Sequence, residues 1–136
     1  MAHEHPDDVD WVTAQSKCNA ASIFARLQTG VMQDVERRNS LRRPDDDLLF
    51  EFHDEEETFE VTRGNGRGQV SAAVKFERAG RRIHVEGEDI DVDFTAVVTL
   101  DVTGACRLVV GEAMYSEWEI RRMALEVLFF EDDVSD

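Results

Sequence analysis

Lysine is almost missing from this chain. Only Lys17 and Lys75 occur among its fifteen basic residues, and the rest are arginine. Thirty acidic residues outweigh them, for a net charge of −15 and a pI near 4.5. Such a surface repels polyanions at long range, so a general phosphate-backbone binder is excluded and no nucleic-acid partner is expected. Acidity alone would fit a DNA mimic, but only if the carboxylates formed a regular stripe. In so acidic a chain the ordinary use of arginine is internal pairing with carboxylates, which its planar fork suits.

Cysteine is scarce as well. Cys18 and Cys106 stand far apart, with no CxxC and no Cys/His cluster. They make neither a disulfide framework nor a zinc set, and read as two separate buried thiols in a reducing cytoplasm. No apolar run nears the roughly 18 residues of a membrane span. Residues 1–10 have neither a basic start nor an apolar stretch, so neither a membrane segment nor a secretory signal is expected. Nucleophilic catalysis has no GxSxG and no Ser or Cys beside a base. Cys106 next to Arg107 could have a lowered pKa, but alternation sends the two to opposite faces. Enzyme is therefore the weakest reading, and no cofactor is expected.

What is present is enough for one core. At 136 residues and 42% hydrophobic, the chain reads as a single α+β domain over residues 1–136, with tails at 1–8 and 132–136. Residues 11–17 fit either a short helix capped by Asp8 or Asp10, or a first strand. From Ala20 the pattern is helical: Ala20, Phe24, Leu27, Val31 and Val35 share a face, with Asn19 as N-cap. Gly30 interrupts this helix and could allow a bend. Arg38 closes the stripe, and Pro44 ends the helix near Leu41.

From Leu48 the period becomes two. Leu48, Phe50, Phe52, Phe59 and Val61 point inward, followed by Val70, Ala72, Val74, Phe76, Ile83 and Val85. Val92, Phe94, Ala96, Val98, Leu100, Val102, Cys106, Leu108 and Val110 complete the face. Short strands separated by tight turns predict a meander of about six antiparallel strands, solvated on one side. The Gly64-Asn65-Gly66-Arg67-Gly68 run looks like a phosphate loop, but a strand follows it and Asn-Gly favours a hairpin turn. A last helix is expected over residues 115–131, with Ser116 and Glu119 at capping-box spacing. Its apolar residues form a wide stripe (Ile120, Met123, Ala124, Val127, Phe130) and a narrow one (Tyr115, Trp118, Leu125, Phe129). Both helices are expected on the apolar face of the sheet.

Charge is segregated. Residues 37–44 hold four arginines and no acid, residues 45–60 nine acids and no Lys or Arg, and residues 63–82 six basic residues against Glu77. Residues 86–101 are acidic again. Adjacent strands would then pair opposite charges on the solvated face. The metal candidates are weak. Asp89, Asp91 and Asp93 diverge along a strand, with Phe94 where a calcium loop needs glycine. His3, Glu4 and His5 lie at a terminus, and His53-Asp54 lacks further ligands. His84 reads as an exposed histidine.

Two functional readings follow. The first is a noncatalytic cytoplasmic protein-interaction domain, adaptor or chaperone-like and homodimeric, with Tyr115, Trp118, Leu125 and Phe129 as the interface. The second is a small-molecule binder with a cavity lined by Phe50, Phe76, Phe94 and Leu100, where Ala72 and Ala96 leave room. In that reading Arg38, Arg78 and Arg122 hold an anionic ligand at its mouth.

Overall fold

Asn19 opens the long helix by accepting the backbone N–H of Ser22 on its side-chain oxygen at 2.8 Å. In the computed structural model, which describes residues 9–134, that helix is α2 (Ala20–Ser40). A short α1 (Trp11–Lys17) precedes it, capped by Asp10. The choice between helix and strand at residues 11–17 thus resolves to helix. Residues 1–8 and 135–136, including His3, Glu4 and His5, lie outside the described residues.

Seven strands follow: β1 (Leu49–Glu55), β2 (Thr58–Gly64), β3 (Val70–Ala79), β4 (Arg82–Glu88), β5 (Asp93–Leu100), β6 (Cys106–Val110) and β7 (Ala113–Tyr115). They pair antiparallel in sequence order, as a pure meander. The seventh strand takes Tyr115 out of the last helix, because residues 113–115 pair with residues 108–110. The last helix, α3, runs over Glu117–Val134, so residues 132–134 are helical rather than a tail.

Register fixes which side chains meet the helices. Val61 opposes Val74, Phe59 opposes Phe76, and Phe76 opposes Val85, all buried and all of one parity. They form one cluster with the α2 stripe and with Ile120, Ala124 and Leu128 of α3, so both helices cover one face. Phe59 is its centre. Its ring stacks on Phe76 at 4.5 Å and meets Phe24 at 5.0 Å, contacts of about 0.5–1.5 kcal/mol beyond area burial. Two inward expectations fail at strand ends. Val70 pairs with Gly64 beside a register shift and is exposed, and Val102 lies beyond the end of β5 in the next turn, 92% exposed.

The turns are built by side chains. Asn65 accepts the N–H groups of Arg67 and Gln69, so the glycine-rich run is a hairpin loop and not a phosphate cradle. Asp101 closes the β5–β6 turn. Its carboxylate accepts the Thr103 hydroxyl and the backbone N–H groups of Thr103 and Ala105, and pairs with Arg107 at 3.1 Å. These bonds, the Thr103 hydroxyl first, hold the Asp101 carboxyl well below the usual carboxylate range. At the start of α3, Glu119 accepts the backbone N–H of Ser116 at 2.9 Å, which lowers its pKa in the same way. Both groups stabilise the fold above the ordinary carboxylate range and lose that contribution as pH falls.

The cysteines correct the sequence reading. Cys18 and Cys106 are not separate thiols but a disulfide, with Cα atoms 5.3 Å apart and 88 residues between them in sequence. The meander returns the start of β6 beneath the α1–α2 corner, a proximity that spacing alone cannot reveal. No residue of α1 is buried, so the bridge at its C-cap is its principal tether to the sheet. In the chain-entropy account a loop of this length contributes about 4–5 kcal/mol. Reduction, or the double variant C18S/C106S, should therefore lower the free energy of unfolding by roughly 2–5 kcal/mol. Urea unfolding with and without a reductant measures this, and coincident midpoints would refute it.

Candidate binding cleft between the helices

The apolar side of α3 is broader than either sequence stripe and rotated from both. Ile120, Ala124 and Leu128 meet the sheet, and the neighbouring row of Leu125 and Phe129 is also buried. Val127 and Phe130, expected inside, are 38% and 41% exposed. Leu128, which belonged to neither stripe, is fully buried. The cause is α2, which shares the roof and draws the Leu125–Phe129 row against it. Two of the four proposed interface residues, Leu125 and Phe129, are thus buried within this chain. Tyr115 is half-buried, and Trp118 stays 55% exposed.

The seam between α2 and α3 opens into a cleft of about 370 Å³. Leu41, Trp118, Leu125, Phe129 and Phe130 give it an apolar lining. Arg37 and Arg38 border it from α2, Arg121 and Arg122 from α3, against two acids, Asp34 and Glu126. With Asp46, 3.7 Å from the Arg38 guanidinium, three acids face these four arginines, a local balance far from that of a chain of −15.

The four arginines differ in what holds them. The Arg38 side chain is only 12% exposed. Its Nε donates to the Phe129 carbonyl at 3.1 Å, and its guanidinium lies over the rings of Phe50 and Phe130 at 5.0 and 5.4 Å. This is a helix-end clamp. Phe130 leaves helical geometry (φ −130°, ψ 21°), which kinks α3 there. Arg38 takes the Phe129 carbonyl, and Arg63 of β2 donates to the Leu128 carbonyl at 3.2 Å.

Arg121, which the sequence did not single out, locks the helices together. Its Nε donates to Asp34 at 2.9 Å across the seam. Burial raises the Asp34 pKa, and the nearby guanidinium only partly offsets that. Gly30 makes the contact possible. A Cβ there would stand 2.9 Å from Arg121 Cδ and Cζ, so this glycine provides close approach rather than a bend. The clue in the sequence was a glycine on the buried stripe of a long helix. Arg122 reaches only Glu126, one turn away, with both side chains about half exposed or more. Arg37 is exposed with no ion-pair partner among the described residues.

The remaining candidates lie elsewhere. Arg78 does continue the inward face of β3, but its head pairs with Glu57 at 2.8 Å and bonds the Gly80 carbonyl, at the opposite end of the core from Arg38. The three proposed ligand arginines therefore do not converge. Only Arg38 and Arg122 share the cleft. Of the residues proposed to line an internal cavity, Phe76 stacks on Phe59 and Phe50 packs edge-on against Phe129 at 4.9 Å, while Phe94 and Leu100 are partly buried. His84 pairs with Asp93 at 2.9 Å across the β4–β5 ladder. Lys75 stands in register between Glu60 and Glu86, as the charge blocks implied. Among the described residues no group of three or more His, Cys, Asp or Glu is placed to hold a metal ion, and no helix is long and apolar enough to cross a membrane.

The chain matches no protein-family model, no curated protein and no solved structure.

Two predictions separate the arginines and test the seam. Arg38→Ala should destabilise the fold by about 2–3 kcal/mol through the lost charged hydrogen bond and ring contacts, whereas Arg122→Ala should cost under about 0.5 kcal/mol. Chemical denaturation reads both, and equal losses would show that Arg38 is no clamp. Gly30→Ala should fail to gain the ~1 kcal/mol expected from helix propensity, but should gain it in an Arg121→Ala background. A double-mutant cycle by thermal unfolding shows the reversal, and additivity would refute the contact.

Proposed function

We propose that this chain is a noncatalytic protein-interaction domain, and that its docking surface is the cleft between α2 and α3. The observation that carries this reading is the pairing of exposed Trp118 and Phe130 with Arg37 and Arg122 at the one seam of the roof. Aromatic and arginine side chains dominate binding energy at protein interfaces, and an exposed apolar strip on a strongly charged chain calls for a cover. The occupant that fits is a segment with an aromatic or aliphatic anchor flanked by carboxylates. The anchor would enter between Leu41 and Trp118, and the carboxylates would meet Arg37 and Arg122.

A small anionic ligand is the second reading. With Phe50 and Phe76 packed, it too would have to use this cleft, and it would leave Trp118 largely uncovered. The cytoplasmic setting rested on two free thiols. With Cys18 joined to Cys106, such a setting would have to maintain an oxidised bridge, which is uncommon there. Mass spectrometry of alkylated chain taken directly from cells would decide the compartment's redox state.

Trp11 and Trp118 are the two tryptophans, so Trp11→Phe leaves Trp118 as a sole reporter in the cleft. At sub-micromolar protein, a synthetic helical peptide carrying leucine and glutamate should shift Trp118 emission to the blue, saturably. Arg37→Glu with Arg122→Glu should weaken binding about tenfold or more. No shift at millimolar peptide, or the same affinity after charge reversal, would overturn the reading.

A further inference from the structure

The outward ridge of α3 has an order that is complementary to itself. Trp118, Arg122 and Glu126 follow one another at four-residue steps, and Phe130 comes next where the helix bends. All four are exposed, and all four border the cleft. Rows at four-residue spacing are the ridges by which helices most often pack on one another. Arg122 and Glu126 are equidistant from the level of Ala124, and so are Trp118 and Phe130. A two-fold axis crossing α3 at that level sets Arg122 against Glu126 of a second copy. The same axis sets Trp118 against the second copy's Phe130, and both contacts occur twice. An isologous interface requires this kind of pattern, in which residue i meets j and j meets i.

We infer that the partner seated on this cleft is a second copy of the chain, docked through α3 about a two-fold axis, with reciprocal Arg122–Glu126 pairs between aromatic contacts at each end. This rests on the cleft being a docking surface, and it names the occupant. The second copy's α3 supplies both elements that the cleft selects, aromatic anchors in Trp118 and Phe130 and a carboxylate in Glu126. The contact strip spans about 18 Å of helix, at 1.5 Å per residue. Leu41, 60% exposed on the α2 side of the cleft, then gains cover from the incoming Trp118 or Phe130. The intrachain Arg122–Glu126 contact, at 3.3 Å between half-exposed groups, is weak enough to be exchanged for an interchain one.

The test is a charge exchange. In about 0.5 M salt, long-range repulsion between two chains of −15 is largely screened while close pairs persist. There, sedimentation of the full chain at 50–100 µM should show a dimer. Arg122→Glu makes the ridge wholly acidic and Glu126→Arg makes it wholly basic. Each variant alone should be folded by circular dichroism and at least tenfold weaker in self-association. Mixed one to one, the two should form a heterodimer within about threefold of the wild-type affinity, and R122E/E126R in a single chain should recover the homodimer. A monomeric wild-type chain, variants that dimerise unimpaired, or a mixture that stays monomeric would each overturn the inference. The peptide titration on Trp118 is independent of these outcomes. Peptide binding by a monomeric chain would keep the cleft as a docking surface and remove only the second copy as its occupant.

Discussion

A seven-stranded meander has one apolar face and, in this chain, two long helices to cover it. Neither suffices alone. A helix is about 10 Å across with its side chains, whereas strands are spaced about 4.8 Å apart, so each helix roofs roughly two strands fully. Two helices share that face and meet along one flank, and the character of the seam follows from how they meet. Where they touch, Gly30 and the Arg121–Asp34 pair bring them close. Where they part, the cleft with Trp118 and Phe130 opens. Just before the kink at Phe130, Arg38 and Arg63 bond the Phe129 and Leu128 carbonyls from the two sides. The cleft and the clamp are both consequences of roofing a broad sheet with two separate rods.

How far this was legible follows from the range over which each signal acts. The α2 stripe was readable, because Ala20, Phe24, Leu27, Val31 and Val35 are all buried and periodicity is local, although Ile23, buried beside them, was not named. Strand parity was readable in strand interiors and failed at Val70 and Val102, where a register shift and a turn decide instead. The face of α3 was misread because two partners claim adjacent rows of it. A helix between a sheet and another helix buries a wide sector, and no single stripe marks its edges. The disulfide was invisible, since an 88-residue separation becomes contact only through the path of the meander. Arg38 and Arg122 were chosen as arginines beside apolar stripes, which does find the cleft. The same criterion chose Arg78, whose stripe ends at the far side of the core beside Glu57.

The arginines divide by what they meet, and that division separates structure from recognition better than exposure does. Arg38 and Arg63 donate to the backbone carbonyls of Phe129 and Leu128, just before the kink at Phe130, and Arg121 to a carboxylate whose pKa burial has raised. These groups are committed, because releasing any of them would leave a polar group unmet at the seam. Arg37 and Arg122 face outward and release nothing of that kind when they turn to a partner. A cleft can therefore be both a rigid part of the fold and an available surface. Its floor is fixed by committed guanidinium groups, and its rim carries Arg37 and an Arg122 held only by an exposed pair with Glu126. In a chain so short of positive charge, two outward arginines beside two exposed aromatics are the arrangement least accounted for by folding alone, and that is the ground for proposing the cleft, not the sheet or the turns, as the docking surface.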